Sequence, residues 1–461
     1  MNAHNIKTTE TKIPFLKSDL TDQLNDIKRR GKKSILVIVS TGLFILPLFL
    51  VVKSYVSTKN PSFEPKPLFT KFSELNEYLE EVHRDSSTFK EEHLDLFFAN
   101  YISIHQNEIE FNSKHKIDFH KTLIKIVEHN SNSESTFKMG INQFSYLNDK
   151  QKNLMLVNET SQSVIDANTA NKIKRNLDYY YDNDFLGDNN QLFEQIYNCG
   201  KEIKIELSTF FKNLDWSRND TNPSNKNLVT SIKDQGLCGS CYTFAAASVI
   251  EGKICAQNLK DCDNWTGISE QYILDCGPET YNFDKTSCHG GYTDKVFMFS
   301  KNNGIYEYTD YPYSMTTWKK YWEYEYDCEN FESKNVSKIE NFKMTNFCQA
   351  TPKKVDEIKS ILLKKGPIAA KLYAVGNLFH YRTGIYTPEI FGYNECAYRD
   401  FKDGAGYHEV SIVGYGHDEI LKKDYWIVKN SWAETWGENG FGRIEAGRDF
   451  CGIESNIFYL E

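Results

Sequence analysis

The sequence contains a cysteine whose surroundings favour a reactive thiolate. Cys241 follows a loop made by Gly236 and Gly239, and the residues from Tyr242 onward favour a helix, so we expect Cys241 at a helix N-terminus. The unpaired N–H groups there carry partial positive charge and stabilise a thiolate, which is a nucleophile when a base stands beside it. Two other interpretations are open at this point: a redox pair with Cys238, or two structural cysteines.

Two further positions offer a base and a group that would orient it. His408 begins an apolar strand that ends in glycines, where a lone histidine is more often a core residue. Asn430 lies in a tryptophan-rich stretch, and an amide shielded by an indole can fix the ring and tautomer of an imidazole. The indoles of this stretch belong to Trp426, Trp432 and Trp436. Together these residues would supply the base, and the group that orients it, which a nucleophilic cysteine requires.

Gln235 adds a fourth element, because its side-chain amide and the Cys241 backbone N–H could donate to an oxyanion. With these four residues the sequence resembles the papain-like cysteine proteases, and residues 238–242 (CGSCY) match a local signature of that family. The resemblance extends over residues 214–461. It implies an α+β fold, the papain-like two-lobed fold, with a helical L lobe and a β-barrel-like R lobe.

The resemblance also implies a role for each residue in a cysteine endopeptidase. Cys241 is the implied nucleophile, and His408 is its base and acid, in an imidazolium–thiolate pair. Asn430 is implied to orient His408, Gln235 to form the oxyanion hole, and Trp432 to shield the pair from water. Proteins or peptides are the implied substrates, and no cofactor is implied. Cys288 and His289 do not indicate a metal site, because no second ligand pair stands at zinc spacing.

Substrate-binding positions follow from the same resemblance. Residues 288–291 match the family's glycine pair, in which an extended substrate pairs with the backbone of Gly291. The positions of Lys371 and Glu409 are usually small and apolar, so we expect a more polar S2 pocket. The full implied set is Gly290, Gly291, Thr293, Lys371, Glu409, Asn456 and Trp432.

The chain has eleven cysteines, and this odd number leaves at least one thiol without a partner in the chain. The family pattern implies a disulfide framework whose pairs are Cys238–Cys288, Cys276–Cys328 and Cys396–Cys451. Cys255 and Cys262 are close enough in sequence for a further local bridge. Cys241 stays free as the nucleophile, and Cys199 and Cys348 are unassigned.

Composition and one apolar segment indicate where the protein acts. The formal net charge of −9 argues against nucleic acid as a partner. Residues 34–52 carry no charge and would span about 28 Å as a helix, close to a bilayer's thickness, with a cleaved signal peptide as the alternative. Basic residues precede the segment, so residues 1–33 are predicted to be a cytosolic tail. This predicts a single-pass type II membrane protein whose catalytic domain lies in an acidic lysosome-like or food-vacuole-like lumen. Sequons for N-glycosylation occur at Asn158, Asn219, Asn264 and Asn335.

The region at residues 53–208 resembles an inhibitory propeptide, which would make the propeptide a partner of its own enzyme. A helical domain is predicted at about 68–158, and residues 140–144 fit most of a short propeptide motif. Residues that recur at helical spacing in this domain are Phe97, Asn100, Ile104, Ile109 and Phe111. Departures from the propeptide pattern are His93, Glu108 and Tyr146, where Arg, Asn and Asp are usual. A linker at 168–188 precedes the peptidase domain, predicted at 209–461.

Anchor, prosegment and papain-like domain together resemble the falcipain-type proteases of apicomplexan parasites. Tyr242 and residues 366–370 and 380–386 are instead similar to cathepsin C, a dipeptidyl peptidase. That enzyme needs an extra N-terminal domain, whereas the segment here resembles an inhibitory prosegment, so we prefer an endopeptidase. A thiol–disulfide oxidoreductase using Cys238 and Cys241 would leave the other site residues without a purpose. A catalytically dead binding protein is disfavoured because all four site positions carry the competent residue.

Overall fold

The computed structural model describes residues 69–82, 90–105, 109–156, 212–281, 288–315, 327–334, 336–352, 354–387, 389–390, 393–394, 396 and 406–461. The predicted tail, the segment at 34–52, the linker and Cys199 lie outside these residues. None of the described helices combines the length and the hydropathy of a membrane span. The anchor therefore stays a prediction.

A helical domain forms before the linker, as the propeptide pattern predicts. Its elements are α1 (Phe72–Val82), α2 (Glu91–Ile104), α3 (Ser113–Asn130), β1 (Phe137–Met139) and α4 (Asp149–Lys152). Asn112 begins α3 by accepting the first backbone N–H groups of that helix on its side chain. The expectation that helical spacing continues through Ile109 and Phe111 was wrong, because α2 ends before them. Both residues pack on the core from the connection between the two helices, which explains why they are apolar.

Helices come first in the second part of the chain. They are α5 (Cys241–Ala256), α6 (Glu270–Tyr281), α7 (Thr293–Asn303), α8 (Cys328–Glu332) and α9 (Val355–Lys365). Nearly every residue of α5 is buried, including the alanines from Ala245 to Ala247, whose small side chains allow close packing on all faces. Helix α5 is therefore the central element of this part.

Most strands follow the helices. The strands are β2 (Leu214–Asp215), β3 (Phe347–Ala350), β4 (Ile368–Ala374), β5 (Tyr381–Tyr386), β6 (Glu389–Ile390), β7 (Tyr393–Asn394), β8 (Gly406–Asp418), β9 (Lys423–Lys429), β10 (Phe441–Glu445) and β11 (Ile457–Leu460). The exceptions are the short β2 and also β3, which precedes α9. The main sheet has the order β1-β5-β10-β9-β8-β4-β11-β3, with β2 paired to β8. Strand β1 of the helical domain thus lies at the edge of the sheet, beside β5. The predicted α+β class, with helices early and strands late, is confirmed.

The three disulfides implied by the family pattern are present, and so is the further local bridge. They are Cys238–Cys288, Cys255–Cys262, Cys276–Cys328 and Cys396–Cys451. Cys348, which the sequence left unassigned, is also disulfide-bonded. Among the described residues, Cys241 is the free cysteine. The cysteine singled out by its chemistry is therefore the one that keeps its thiol.

Candidate active site

Cys241 is the first residue of α5, as predicted, and it is fully buried. Its neighbour in the CxxC motif, Cys238, is bonded to Cys288 and not to Cys241. The backbone N–H of Glu409 interacts with the thiol, so the thiol lies against β8, next to His408. The helix start and the strand thus bring together two residues that are far apart in sequence.

His408 is held by two neighbours. Its Nε2 lies 2.8 Å from Asn430 Oδ1, and its ring stacks on Trp432 with 4.4 Å between centroids. Asn430 Oδ1 also accepts from the Ser431 backbone N–H at 2.8 Å, which identifies that atom as the oxygen. Nε2 must therefore carry the proton of the neutral ring, and Nδ1 is the basic nitrogen. Nδ1 makes no hydrogen bond to the described residues.

Gln235 lies in the same site, fully buried. Its Nε2 donates to the carbonyl of Cys238 at 2.8 Å and to the carbonyl of Met155 at 2.9 Å. Met155 belongs to the helical domain, so a peptide carbonyl from that domain occupies the donor predicted for an oxyanion. The four predicted residues of the site are brought together by the fold.

Two hydroxyl groups that sequence reasoning missed hold Gln235 in place. Ser431 Oγ donates to Gln235 Oε1 at 2.6 Å, which turns the amide Nε2 toward the accepting carbonyls. The Tyr313 hydroxyl donates to the Gln235 backbone carbonyl and lies 2.8 Å from Ser240 Oγ. Ser431 directly follows Asn430, but no local pattern marks either hydroxyl.

Burial sets the protonation states of the thiol and the imidazole. It raises the pKa of Cys241 to about 12, and the charge of Glu409 acts in the same direction, while nearby backbone N–H groups oppose both. Burial lowers the pKa of His408 to about 4, although the hydrogen bond that Nε2 donates to Asn430 acts to raise it. At neutral pH both groups are therefore uncharged in this covered state. The predicted imidazolium–thiolate pair belongs to an open cleft and stays a prediction.

The two glycines predicted to bind substrate stand where side chains cannot. Gly290 has φ of +117°, which strains any residue with a Cβ. A Cβ on Gly291 would lie 2.4 Å from the ring of Tyr242, the residue after the candidate nucleophile. The backbone of Gly291 therefore packs directly on the start of α5.

The four residues predicted to form S2 are neighbours in the structure. Thr293 Oγ1 donates to Glu409 Oε2, and both residues are buried. Lys371 stands directly opposite Glu409 in the β4–β8 ladder, with its Nζ 4.0 Å from the ring centroid of Tyr407. The Lys371 backbone N–H donates to the carbonyl of Asn456 at 3.1 Å. Burial raises the pKa of Glu409 to about 7, so this polar cluster changes charge near neutral pH.

A buried network of charges lies close to the site. Lys233 Nζ is 2.8 Å from Glu251 and 2.6 Å from Glu270. Lys429, which precedes Asn430, is 3.9 Å from Glu251 and donates to Thr230 at 2.8 Å. The network ties the middle of α5 to the end of β9, and so fixes the helix relative to the strand that leads into the site.

The helical domain covers the candidate site. Beyond the Gln235–Met155 hydrogen bond, the carbonyl of Leu156 lies 3.2 Å from where a Cβ on Gly239 would stand. Met155 and Leu156 are themselves buried. A substrate carbonyl cannot reach Gln235 while this segment is in place.

Residues of the predicted propeptide motif contact the wall of the site. Phe144 packs edge-on against Trp432 and Phe379, with centroids 5.6 and 5.8 Å away. Gln143 Nε2 donates to the Trp432 carbonyl at 2.6 Å, and Asn142 Nδ2 donates to the Phe379 carbonyl at 2.7 Å. Because Trp432 also stacks on His408, the motif holds the domain against the indole that supports the candidate base.

Tyr146, which stands where an Asp is usual, belongs to an aromatic cluster. Its ring centroid is 5.3 Å from Phe111, 5.2 Å from His115 and 6.0 Å from His105. The position therefore contributes apolar packing in place of an acidic group.

A buried lysine and a histidine meet between the helical domain and the enzyme. Lys152 Nζ, from α4, lies 3.0 Å from Nε2 of His380, and both residues are buried. Burial lowers the pKa of Lys152 to about 8, and it lowers the pKa of His380 well below its ordinary value, helped by the charge of Lys152. Other charged groups that act on this pair are Lys125, Asp118 and Asp149. Sequence reasoning missed this contact entirely.

Comparison with known families agrees with this geometry. Residues 212–460 match the papain family cysteine proteases, and residues 95–151 match the cathepsin propeptide inhibitor domain. Solved structures with the same fold include digestive procathepsin L 3 from the larval midgut of Tenebrio molitor, at TM-score 0.56 and 20% identity over 80% of this chain and 98% of that one. The recombinant stem bromelain precursor gives a TM-score of 0.55 at 22% identity, over 80% of this chain and 98% of that one.

Sequence relatives lead to the same family. The probable cysteine protease RD19B of Arabidopsis thaliana is 32% identical, but the match covers 50% of this chain and only 59% of that protein. Cysteine proteinase COT44 of Brassica napus is 30% identical over 72% of this chain and 91% of its own length. A cathepsin L-like proteinase of Phaedon cochleariae is 26% identical over 78% of this chain and 89% of its own. On this evidence the chain belongs to the papain family of cysteine proteases and carries the family's propeptide inhibitor domain.

Proposed function

We propose that the protein is a cysteine endopeptidase made as an inactive precursor. The observation that carries this proposal is the hydrogen bond from Gln235 Nε2 to the main-chain carbonyl of Met155. A peptide carbonyl already sits on the donor that the reaction needs, beside a free cysteine and an oriented histidine. The precursor thus holds its own chain where a substrate would bind.

The geometry supports a specific order of bond changes. The thiol proton of Cys241 passes to His408 Nδ1, Cys241 Sγ bonds to the carbonyl carbon, and the resulting oxyanion accepts from Gln235 Nε2 and the Cys241 backbone N–H. His408 transfers a proton from Nδ1 to the leaving amine as the C–N bond breaks, which leaves a thioester. His408 then takes a proton from water, whose oxygen attacks the thioester carbon, and the acid product and the thiolate are released. Asn430 keeps the other ring proton on Nε2 throughout.

Substrate binding is assigned to the residues around this centre. Gly290 and Gly291 are assigned to pair their backbone with an extended substrate, and Trp432 forms the wall behind His408. Thr293, Lys371, Glu409 and Asn456 form the S2 pocket in this proposal. Their contacts support a pocket that is narrow and polar.

Two alternatives are less well supported. A cathepsin C-like dipeptidyl peptidase needs a domain that blocks the cleft, whereas residues 95–151 match an inhibitory propeptide. Cleavage of blocked internal peptides at a higher rate than free dipeptidyl ones separates the two activities. A thiol–disulfide oxidoreductase requires a bond between Cys238 and Cys241, but Cys238 is bonded to Cys288.

We also place the enzyme on a membrane, anchored by residues 34–52 with the catalytic domain in an acidic lumen, in the manner of falcipain-type proteases. The uncharged segment and the basic residues before it support this topology. Carbonate extraction and protease protection of the expressed chain test it. Release of the full chain by carbonate, or digestion of the catalytic domain in sealed vesicles, would contradict it.

The decisive test of activity uses the full chain. It is incubated at acid pH, the products are sequenced from their N-termini, and an epoxysuccinyl inhibitor is used to label the active thiol. We expect a cut between residues 157 and 211, labelling of Cys241, and loss of both in the Cys241→Ser variant. Normal cleavage by the Cys241→Ser variant would overturn the mechanism. If replacement of Asn430 left the cleavage rate unchanged, only the role of that amide would be overturned.

A further inference from the structure

The propeptide covers an edge of the catalytic sheet as well as the cleft. Strand β1 pairs antiparallel with β5, with Phe137 opposite Gly384. The Ile385 backbone N–H donates to the Thr136 carbonyl at 2.9 Å, and Thr136 Oγ1 donates to the Ile385 carbonyl at 2.7 Å. The next contact along, from the Gly140 N–H to the His380 carbonyl, is 2.8 Å. The edge of β5 is therefore bonded over its whole length by propeptide.

Side chains add selectivity to this edge. Phe137 is buried, with its ring 4.9 Å from that of Tyr386 and 6.3 Å from that of Tyr381. A Cβ on Gly384 would lie 2.5 Å from the Thr136 carbonyl, so the absence of a side chain there lets the incoming strand approach. Arg382 forms an ion pair with Glu80 of α1. The edge thus accepts an extended chain with an aromatic residue and a nearby carboxylate.

Loss of the propeptide uncovers this surface. The N–H of Ile385 loses its partner, and its C=O keeps only the 3.5 Å contact from Thr387 Oγ1. The two tyrosine rings lose Phe137, and Arg382 loses Glu80. A bare strand edge flanked by apolar side chains is a template for another extended chain. The other side of β5 is paired with β10 and remains closed.

The covered edge and the cleft are parts of one continuous surface. Phe379, just before β5, stacks on Trp432 at 4.6 Å, and Trp432 stacks on His408 at 4.4 Å. The propeptide itself occupies the edge with Thr136–Gly140 and the cleft with Met155. One polypeptide can therefore hold both places at once, with about fifteen residues between them.

We propose that, after maturation, the edge of β5 is a docking strand for protein substrates, which add an antiparallel strand there while a more distant segment enters the cleft. The preferred segment is extended, places an aromatic side chain between Tyr381 and Tyr386, and carries a carboxylate that reaches Arg382. This proposal rests on the proposed endopeptidase function. Holding a substrate at a second place raises its effective concentration at the cleft. The value of kcat/KM should therefore be higher for long substrates, which reach both places, but not for short ones.

The test compares a long and a short substrate in the presence of a competing strand. The full chain is processed at acid pH, with pepsin added to complete the cut, and the propeptide is removed. The probe is a synthetic peptide of residues 132–142, and its matched control has Phe137→Ala and Lys138→Pro, which removes the ring and one N–H. We expect the parent peptide to lower kcat/KM for a denatured protein about tenfold, with no change for a blocked dipeptide substrate. We expect the control peptide to bind at least about tenfold more weakly, from the loss of one buried ring.

Binding of the fluorescent peptide to the inhibitor-blocked enzyme gives a readout that does not need activity. If the enzyme cleaves neither substrate but the peptide binds, the proposed function fails and the docking strand survives. Equal binding of both peptides, or equal slowing of both substrates, overturns the docking strand. The Arg382→Glu enzyme adds a check, because it should lower the ratio of protein to dipeptide cleavage; an unchanged ratio contradicts the role of Arg382.

Discussion

Lys233 and Lys152, two of the buried lysines in the described part of the protein, differ in what faces their ammonium groups. Lys233 lies between two carboxylates, at 2.8 Å from Glu251 and 2.6 Å from Glu270. Burial acts to lower its pKa, but the two negative charges outweigh burial and raise the pKa overall. Lys152 faces the imidazole of His380 at 3.0 Å, and burial lowers its pKa to about 8.

The difference separates an interaction that stays within the enzyme from one that is broken when the propeptide leaves. The charge on Lys233 is neutralised within the enzyme, so this lysine belongs to the core that supports the site. The charge on Lys152 meets a group that can itself become a cation, and the two belong to surfaces that separate on activation. A buried charge thus stabilises the fold in one place and sets a condition for opening in the other.

The largest expected effect comes from breaking the compensated network. Glu251→Ala leaves Lys233 with one carboxylate and removes the acceptor of Thr230, so the free energy of unfolding should fall by about 3–5 kcal/mol. Denaturant unfolding of the full chain, made inactive by Cys241→Ser, measures it. Glu419→Ala, at an ion pair on the surface with Lys212, is the control and should change little. A loss as small as the control's would show that the network does not hold α5 in place.

The second effect concerns His380 and pH. Its pKa is lowered in the closed state, so the open state binds a proton more readily and falling pH favours opening. Below about pH 6.5, the usual histidine pKa, the open population should gain up to about tenfold per pH unit. His380→Gln keeps an acceptor for Lys152 but does not titrate. The measurement is the rate at which an epoxysuccinyl probe labels Cys241 in the parent and in the variant at each pH. The ratio of the parent rate to the variant rate should rise as pH falls.

Using that ratio cancels the pH dependence of the thiol itself. His417→Gln is a matched control, because this histidine bonds Asp424 and makes no described contact with the propeptide. A ratio that stays constant from pH 7 to 4.5 would show that His380 does not sense the closed state.

Sequence alone could predict much of the catalytic site. Cys241, His408, Asn430 and Gln235 each stand in a short stretch with its own signal, such as a helix start, a strand rich in glycine or a tryptophan-rich run. The fold then brings these stretches together as expected. Three disulfides were predictable because the family pattern implies which cysteines pair, and Cys255–Cys262 because the two lie close in sequence. The bond of Cys348 was not predicted.

What could not be predicted depends on contacts across long separations. Lys152 and His380 are 228 residues apart, and neither is marked by its neighbours in sequence. Tyr313 is 78 residues from the backbone carbonyl that it holds. Ile109 and Phe111 misled the helix prediction, because burial in a connection gives the same apolar spacing as a helix face. Local patterns report the environment of a residue and not its partner.

The smallest expected effect separates the charge of Lys152 from its contacts. Lys152→Met keeps a long side chain against Phe379 but removes a buried ammonium, whose burial is unfavourable. The closed state should therefore be more stable, with labelling of Cys241 at pH 7 slower by about tenfold, or roughly 1.4 kcal/mol. Lys152→Arg keeps the charge as the matched control and should not slow labelling. Faster labelling of the Met variant would mean that the hydrogen bond to His380 outweighs desolvation, and Lys152 would then be a second compensated lysine like Lys233.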